Sequence, residues 1–116
     1  MTREQAERRG RRGEWLAAWF LRLKGYRILG KRLRTPRGEV DLVAKRGRTI
    51  AFVEVKTRDT EAELSLAIDE RRLARVAAAA EMLSARFAAR DEDIRIDVIL
   101  IARGKWPQHI ENAWLG

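Results

Sequence analysis

Glu54 and Lys56 are the residues from which chemistry could be built. They stand two apart in the run Ala51-Phe52-Val53-Glu54-Val55-Lys56-Thr57-Arg58, inside the most apolar short stretch of the chain. Twelve residues separate Glu54 from a second acid, Asp41, in the alternating run Gly38-Glu39-Val40-Asp41-Leu42-Val43-Ala44. Only Lys45 to Arg48, with Gly47 for the tight backbone, joins the two runs. That link predicts an antiparallel hairpin, on which the two carboxylates can converge. Carboxylates brought together repel, and a divalent cation between them is the simplest remedy. Oxygen donors favour Mg²⁺ or Mn²⁺ over zinc. Lys56, on the strand face that Glu54 shares, would touch a phosphate or an attacking water. The plainer alternative is a strand end emerging into water with an exposed ion pair. The residues alone leave both open.

The elements that must position these side chains follow from periodicity. Thr49 to Thr57 reads as a strand, with Ile50, Phe52, Glu54 and Lys56 on one face and Ala51, Val53, Val55 and Thr57 on the other. Being apolar on both faces, it should be central and covered on both sides. Glu14 to Lys24 reads as a helix stopped by Gly25, apolar on most sides and therefore expected to be largely buried. Glu14 at its N-terminal end suits the helix dipole. Trp15, Trp19 and Phe20 at helical spacing are expected in the core, although such rings can also stack on bases.

Tyr26 to Arg34 is the expected first strand, with Tyr26, Ile28 and Gly30 on one face, and Thr35-Pro36-Arg37-Gly38 is a basic turn. Glu39 is expected in a rim ion pair. Past a polar loop from Arg58 to Glu63, helical spacing runs from about Ser65 to Ala88. Ile68, Leu73, Val76, Ala77, Ala80, Leu83 and Phe87 mark its buried stripe. Arg71, Arg72 and Arg75 lie off that stripe. Ile94 to Ala102 is a further strand, with Arg95 and Asp97 paired at its entrance, and a short strand ends the chain. His109, the only histidine, reads as structural.

A chain of 116 residues allows one domain with a modest core. Residues 1–12 read as a flexible basic arm ahead of a domain spanning 13–116. Hydrophobic residues at 46% and charged ones at 36% fit a folded chain, not a disordered one. The absence of cysteine removes disulfides and thiolate metal sites, and it fits a reducing cytoplasm. Trp15 to Leu21, behind Arg8-Arg9 and Arg11-Arg12, is too short for an export signal or a membrane span. No serine–histidine–acid grouping or glycine-rich phosphate loop is present. The formal charge of +8 and pI near 10.9 call for a polyanionic partner. Basic clusters at Arg8–Arg12, Lys31–Arg37, Lys45–Arg48 and Arg71–Arg75, coinciding with the apparent metal site, point to nucleic acid as that partner. An arginine- and alanine-rich composition would give the same charge without such a partner.

Asp41, Glu54 and Lys56, spaced D-x(12)-E-x-K across a hairpin and followed by a long helix, resemble the PD-(D/E)xK nuclease superfamily. More narrowly, GEVDLVA and FVEVKTR, together with GEWLAAWFLRLKGYRIL, RIDVILI and HIENAW, resemble the bacterial YraN-type family with its nuclease-like core. The resemblance runs from about Gly13 to Trp114. It implies an α/β, restriction-endonuclease-like single domain, a central mixed sheet flanked by helices. It also implies metal-dependent hydrolysis of phosphodiester bonds by Asp41, Glu54, Lys56 and Glu14. Asp41, Glu54 and the Val55 carbonyl would hold Mg or Mn, and Arg32, Arg34, Arg37, Arg58 and Arg72 are the candidates for contacts to nucleic acid. The chain departs from the family at Arg32, where an Asn is frequent, and at Arg72, where a Lys falls. Two readings compete with cleavage: a non-catalytic nucleic-acid-binding module on this scaffold, and a basic protein that associates with ribosomes or another complex.

Overall fold

A capping box opens the first helix in the computed structural model, which describes residues 2–58, 69–89 and 91–114. The Gln5 N–H donates to Thr2 Oγ1 at 3.1 Å, and the Thr2 N–H donates to Gln5 Oε1 at 2.9 Å. Helix α1 accordingly runs Arg3–Leu23, and the expected start at Glu14 is corrected to Arg3. Gly25, at φ 92°, ends it: its N–H donates to the Arg22 carbonyl at 3.0 Å, and the Tyr26 N–H to the Leu21 carbonyl at 2.9 Å.

The chain continues through β1 (Arg27–Thr35), β2 (Gly38–Arg46) and β3 (Thr49–Arg58), then α2 (Glu70–Phe87), β4 (Asp93–Ala102) and β5 (Gln108–Ile110). These strands form one five-stranded mixed sheet in the order β1-β2-β3-β4-β5. Only β3 and β4 are parallel, joined over the sheet by α2, and the other neighbours are antiparallel. The α/β architecture and mixed sheet expected from the sequence are what the structure has. Gly47, at φ 61°, turns the β2–β3 hairpin as its position implied.

Strand β3 is central because its side chains serve both layers. Ile50 and Phe52 pack under α2 with Val40, Val43, Leu73, Val76 and Val98. Ala51 and Val53 pack under α1 with Ala17, Ala18, Leu21, Leu42 and Ile99. Asp69 caps α2 by accepting from the Arg71 N–H at 2.8 Å, and Leu73, Val76, Ala79 and Ala80 form its buried stripe. Ser65, Ile68 and the remainder of the expected loop beyond Arg58 lie outside the described residues.

Two expectations fail for physical reasons. A helix lying on one sheet buries a single stripe; in α1 that stripe is Ala17, Ala18 and Leu21. Trp15 and Trp19 fall outside it and remain 57% and 48% exposed, not in the core. Gly30 does not share a face with Ile28. The β1–β2 register shifts between them, and Gly30 turns toward Leu33 and Phe87.

Candidate active site

Two glycines set the heights of the helices that flank the site. A Cβ on Gly13 would lie 2.1 Å from Thr57 Oγ1, so the glycine lets α1 touch the end of β3 and brings the next residue, Glu14, to that level. A Cβ on Gly38 would lie 2.2 Å from the Arg75 carbonyl oxygen, so α2 sits against the start of β2. Arg72, one turn earlier on α2, then reaches the middle of the sheet.

What it reaches is Glu54. Arg72 Nε and Nη2 lie 3.1 and 3.0 Å from Glu54 Oε1, and Lys56 Nζ lies 3.0 Å from the same oxygen. Glu54 is 3% exposed and Lys56 8%, which removes the alternative of an exposed ion pair at a strand end. A buried carboxylate meets its desolvation here with two cations. Arg72 is therefore tied to Glu54, although its guanidinium remains half exposed.

Asp41 sits one residue beyond the last regular β2–β3 pair, Leu42 with Val53. Its Oδ2 accepts from the Val55 N–H at 2.7 Å, taking the place of a main-chain acceptor. Burial is the largest influence on this carboxyl. The Glu54 and Glu14 charges add to it, against the Val55 hydrogen bond and Arg72, and Asp41 is pushed up to about 7.

The backbone is irregular where Asp41 meets β1. Val40 and Leu42 pack into opposite layers although they are two apart, so β2 loses its alternation at Asp41. Across from it, between the pairs Lys31–Leu42 and Leu33–Val40, Arg32 has φ 50°. That left-handed conformation is one Asn tolerates better than most residues. Arg32 Nε then pairs with Glu14 Oε1 at 2.6 Å. Backbone irregularity of this kind gathers where side chains must be re-aimed.

Asp41, Glu54 and Lys56 are thus neighbours, and Glu14, which the resemblance alone suggested, acts on Asp41 as well. They are not closed into a cage: among the described residues no three His, Cys, Asp or Glu side chains stand together so as to hold a metal ion. Asp41 and Glu54 are the carboxylates that the resemblance implied for an ion, with the Val55 carbonyl as a further donor. Glu39 makes the expected rim pair with Arg34, at 3.7 Å. Arg37 is exposed in the β1–β2 turn, and Arg58 donates to the Thr57 carbonyl at 2.7 Å.

A second polar cluster was foreseen only in its Arg95–Asp97 pair. Asp97, fully buried, accepts from Arg95 Nε and Nη2, both at 2.8 Å, and from the Asn112 N–H at 3.0 Å. His109 Nε2 lies 2.7 Å from the same carboxylate, and His109 Nδ1 lies 2.6 Å from Lys24 Nζ. With Lys24 as donor, Nδ1 is the acceptor and the ring proton sits on Nε2, facing Asp97. Arg95 and Asp97 do pair, but inside the protein and not at an open strand entrance. The signal available was an acid within an otherwise apolar strand and a lone histidine behind it.

The model of "Uncharacterised protein family UPF0102" matches residues 13–101 of this chain. A UPF0102 protein of Sphingopyxis alaskensis is 64% identical over 114 residues, covering 98% of both chains. One from Erythrobacter litoralis is 62% identical with the same coverage, and one from Rhizorhabdus wittichii 59% identical over 98% of this chain and 97% of its own. The matched span holds α1 from Gly13 and all of β1 to β3, the segments that build the site, and the chain belongs to the UPF0102 family, the YraN-type family that its motifs resemble.

Proposed function

We propose that this protein is a metal-dependent nuclease that hydrolyses phosphodiester bonds in nucleic acid, DNA ahead of RNA. The observation that carries the reading is Asp41, its carboxyl pushed up to about 7 beside a Glu54 that holds Lys56 and Arg72. Acids crowded out of water next to a held lysine are a setting tuned for a charged ligand and not for stability. Asp41, Glu54 and the Val55 carbonyl form an all-oxygen donor set, which fits Mg²⁺ or Mn²⁺. Such an ion, when bound, supplies Lewis acidity at a phosphoryl oxygen and makes a bound water more acidic.

The protein's own groups do the rest. Glu54 fixes the Lys56 ammonium at 3.0 Å, so its remaining N–H donors stand ready for charge developing on the phosphoryl group. Arg72, on the other side of Glu54, holds that carboxylate in place and presents its exposed edge to the phosphate. Arg32 keeps Glu14 beside Asp41. Arg34, Arg37 and Arg58 provide phosphate contacts that position the polymer without reading its sequence.

One observation favours a second reading. Glu54 already has two cations, and the carboxylates are not closed into a cage, as suits a nucleic-acid-binding module that does not cleave. Incubating the full chain with end-labelled linear and branched DNA and RNA, in Mg²⁺ or Mn²⁺, separates the two. The nuclease reading expects cleavage that Lys56→Ala abolishes while folding and binding persist. Cleavage unchanged in Lys56→Ala would remove the proposed mechanism, and binding without cleavage on every substrate would leave the second reading.

A further inference from the structure

We infer that the cavity between α1 and the β4–β5 connection is a stacking subsite for unpaired bases of single-stranded nucleic acid. It deepens the nuclease reading, on which it rests for the nature of the polymer. The cavity has a volume of about 710 Å³, within the range of roughly 300 to 1,000 Å³ usual for pockets that enclose small ligands. It opens at the carboxyl ends of the parallel strands β3 and β4, through Thr57, Arg58 and Arg103, the end of an α/β sheet where ligands bind. Its wall includes Gly13 and Thr57, the chain neighbours of Glu14 and Lys56. A polymer lying across the end of β3 would meet both places.

The chemistry of the wall selects the occupant. Trp19, Phe20 and Trp106 supply ring faces. Trp106 is 78% exposed, and its ring centroid lies 6.5 Å from that of Phe20 with the planes tilted by 43°. So large an exposed indole beside other exposed apolar side chains marks a binding surface. Around these rings stand five Arg and Lys side chains, and none of the described lining residues is Asp or Glu. Aromatic faces within a rim whose described charges are all cationic are what unpaired bases on a phosphate backbone require. A duplex keeps its base faces stacked inside. A second copy of this chain, meeting the first about a two-fold axis, would oppose the two cationic rims and be repelled.

Fluorescence anisotropy of the full chain, in EDTA so that no cleavage competes, tests the inference. The probes are a short labelled thymidine strand, an abasic strand with the same number of phosphates, and a duplex of the same length. The thymidine strand should bind about tenfold more tightly than the abasic one, about 1.4 kcal/mol, and quench tryptophan fluorescence. Trp106→Ala should erase that difference and leave abasic binding unchanged, and Trp106→Phe should restore most of it. Because Trp106 lies mostly in solvent, the parent's melting temperature should be kept. Equal affinity for the thymidine and abasic strands would overturn the inference. So would base-dependent binding that survives Trp106→Ala, or self-association that Trp106→Ala abolishes while strand binding is untouched. These readouts are independent of turnover, so a failure of cleavage leaves base dependence measurable, and a failure of base dependence leaves cleavage standing.

Discussion

Asp41, partly buried, and Asp97, fully buried, lie two strands apart and depart from ordinary carboxyl behaviour in opposite directions. Burial would raise Asp97 as it raises Asp41. At Asp97 the hydrogen bonds from His109, Arg95 and the Asn112 N–H outweigh burial and hold the carboxyl below its usual range. At Asp41 a single Val55 N–H works against burial and the charges of Glu54 and Glu14, and the carboxyl rises to about 7. Depth of burial alone does not set the direction in which an acid shifts. The number and sign of the partners facing it do.

The largest effect should come from breaking the satisfied acid. Asp97→Ala leaves Arg95 and His109 facing each other without their shared carboxylate, and should cost about 3 to 5 kcal/mol. For a domain of this size that lowers the melting temperature by more than about 10 °C in circular dichroism. A change of only a degree or two would make the two acids alike and end the comparison.

Asp41→Asn should do the reverse in metal-free buffer. The folded carboxyl titrates near 7 and the unfolded one near 3.8, so between those values the folded state binds a proton that the unfolded state does not. Stability from this group therefore falls as pH rises through that window, and the loss is complete above about 7. Asn carries no charge, and its amide oxygen can still accept from Val55. The variant should gain on the order of 2 kcal/mol at pH 8, a few degrees in melting temperature, and the gain should fade as pH falls toward 4. Millimolar Mn²⁺ should raise the melting temperature of the parent and not of the variant. An Asn variant less stable than the parent at pH 8 would make Asp41 a structural acid like Asp97.

The smallest effect belongs to Arg32. Its ion pair with Glu14 is half exposed, and its left-handed backbone suits Asn, so Arg32→Asn should change stability by less than about 1 kcal/mol. A larger loss in chemical denaturation would show the pair to be part of the fold.

The contrast also explains what was legible in the sequence. The grouping of Asp41, Glu54 and Lys56 could be read because a short hairpin and strict alternation are local rules. Of the Asp97 cluster only the Arg95 pair could be, since Lys24, Tyr26 and His109 join it only after the sheet has formed. Nor could the face of Gly30 or the turn of β2 at Asp41, because period-two reasoning assumes an unbroken pleat and both strands break it. Arg72 read as a phosphate contact because nothing local shows that α2 delivers it to Glu54. The start of α1 is legible in Thr2-x-x-Gln5, a capping signal that the charge of the following segment obscures.

The single parallel pairing carries a consequence for synthesis. A chain made from its N-terminus can zip β1, β2 and β3 by adjacent hairpins, bringing Asp41 and Glu54 together early. β3 then waits for β4, whose Asp93 lies beside Thr49 and whose Ala102 lies beside Arg58. Until β4 arrives, the strand that is apolar on both faces is an open edge, and such edges recruit other chains. Asp93–Ala102 brings none of the three acids and the lysine of the site, yet it is the segment that closes the open edge beside them. Any shortened form must retain it, or the hairpin will be made and lost to aggregation.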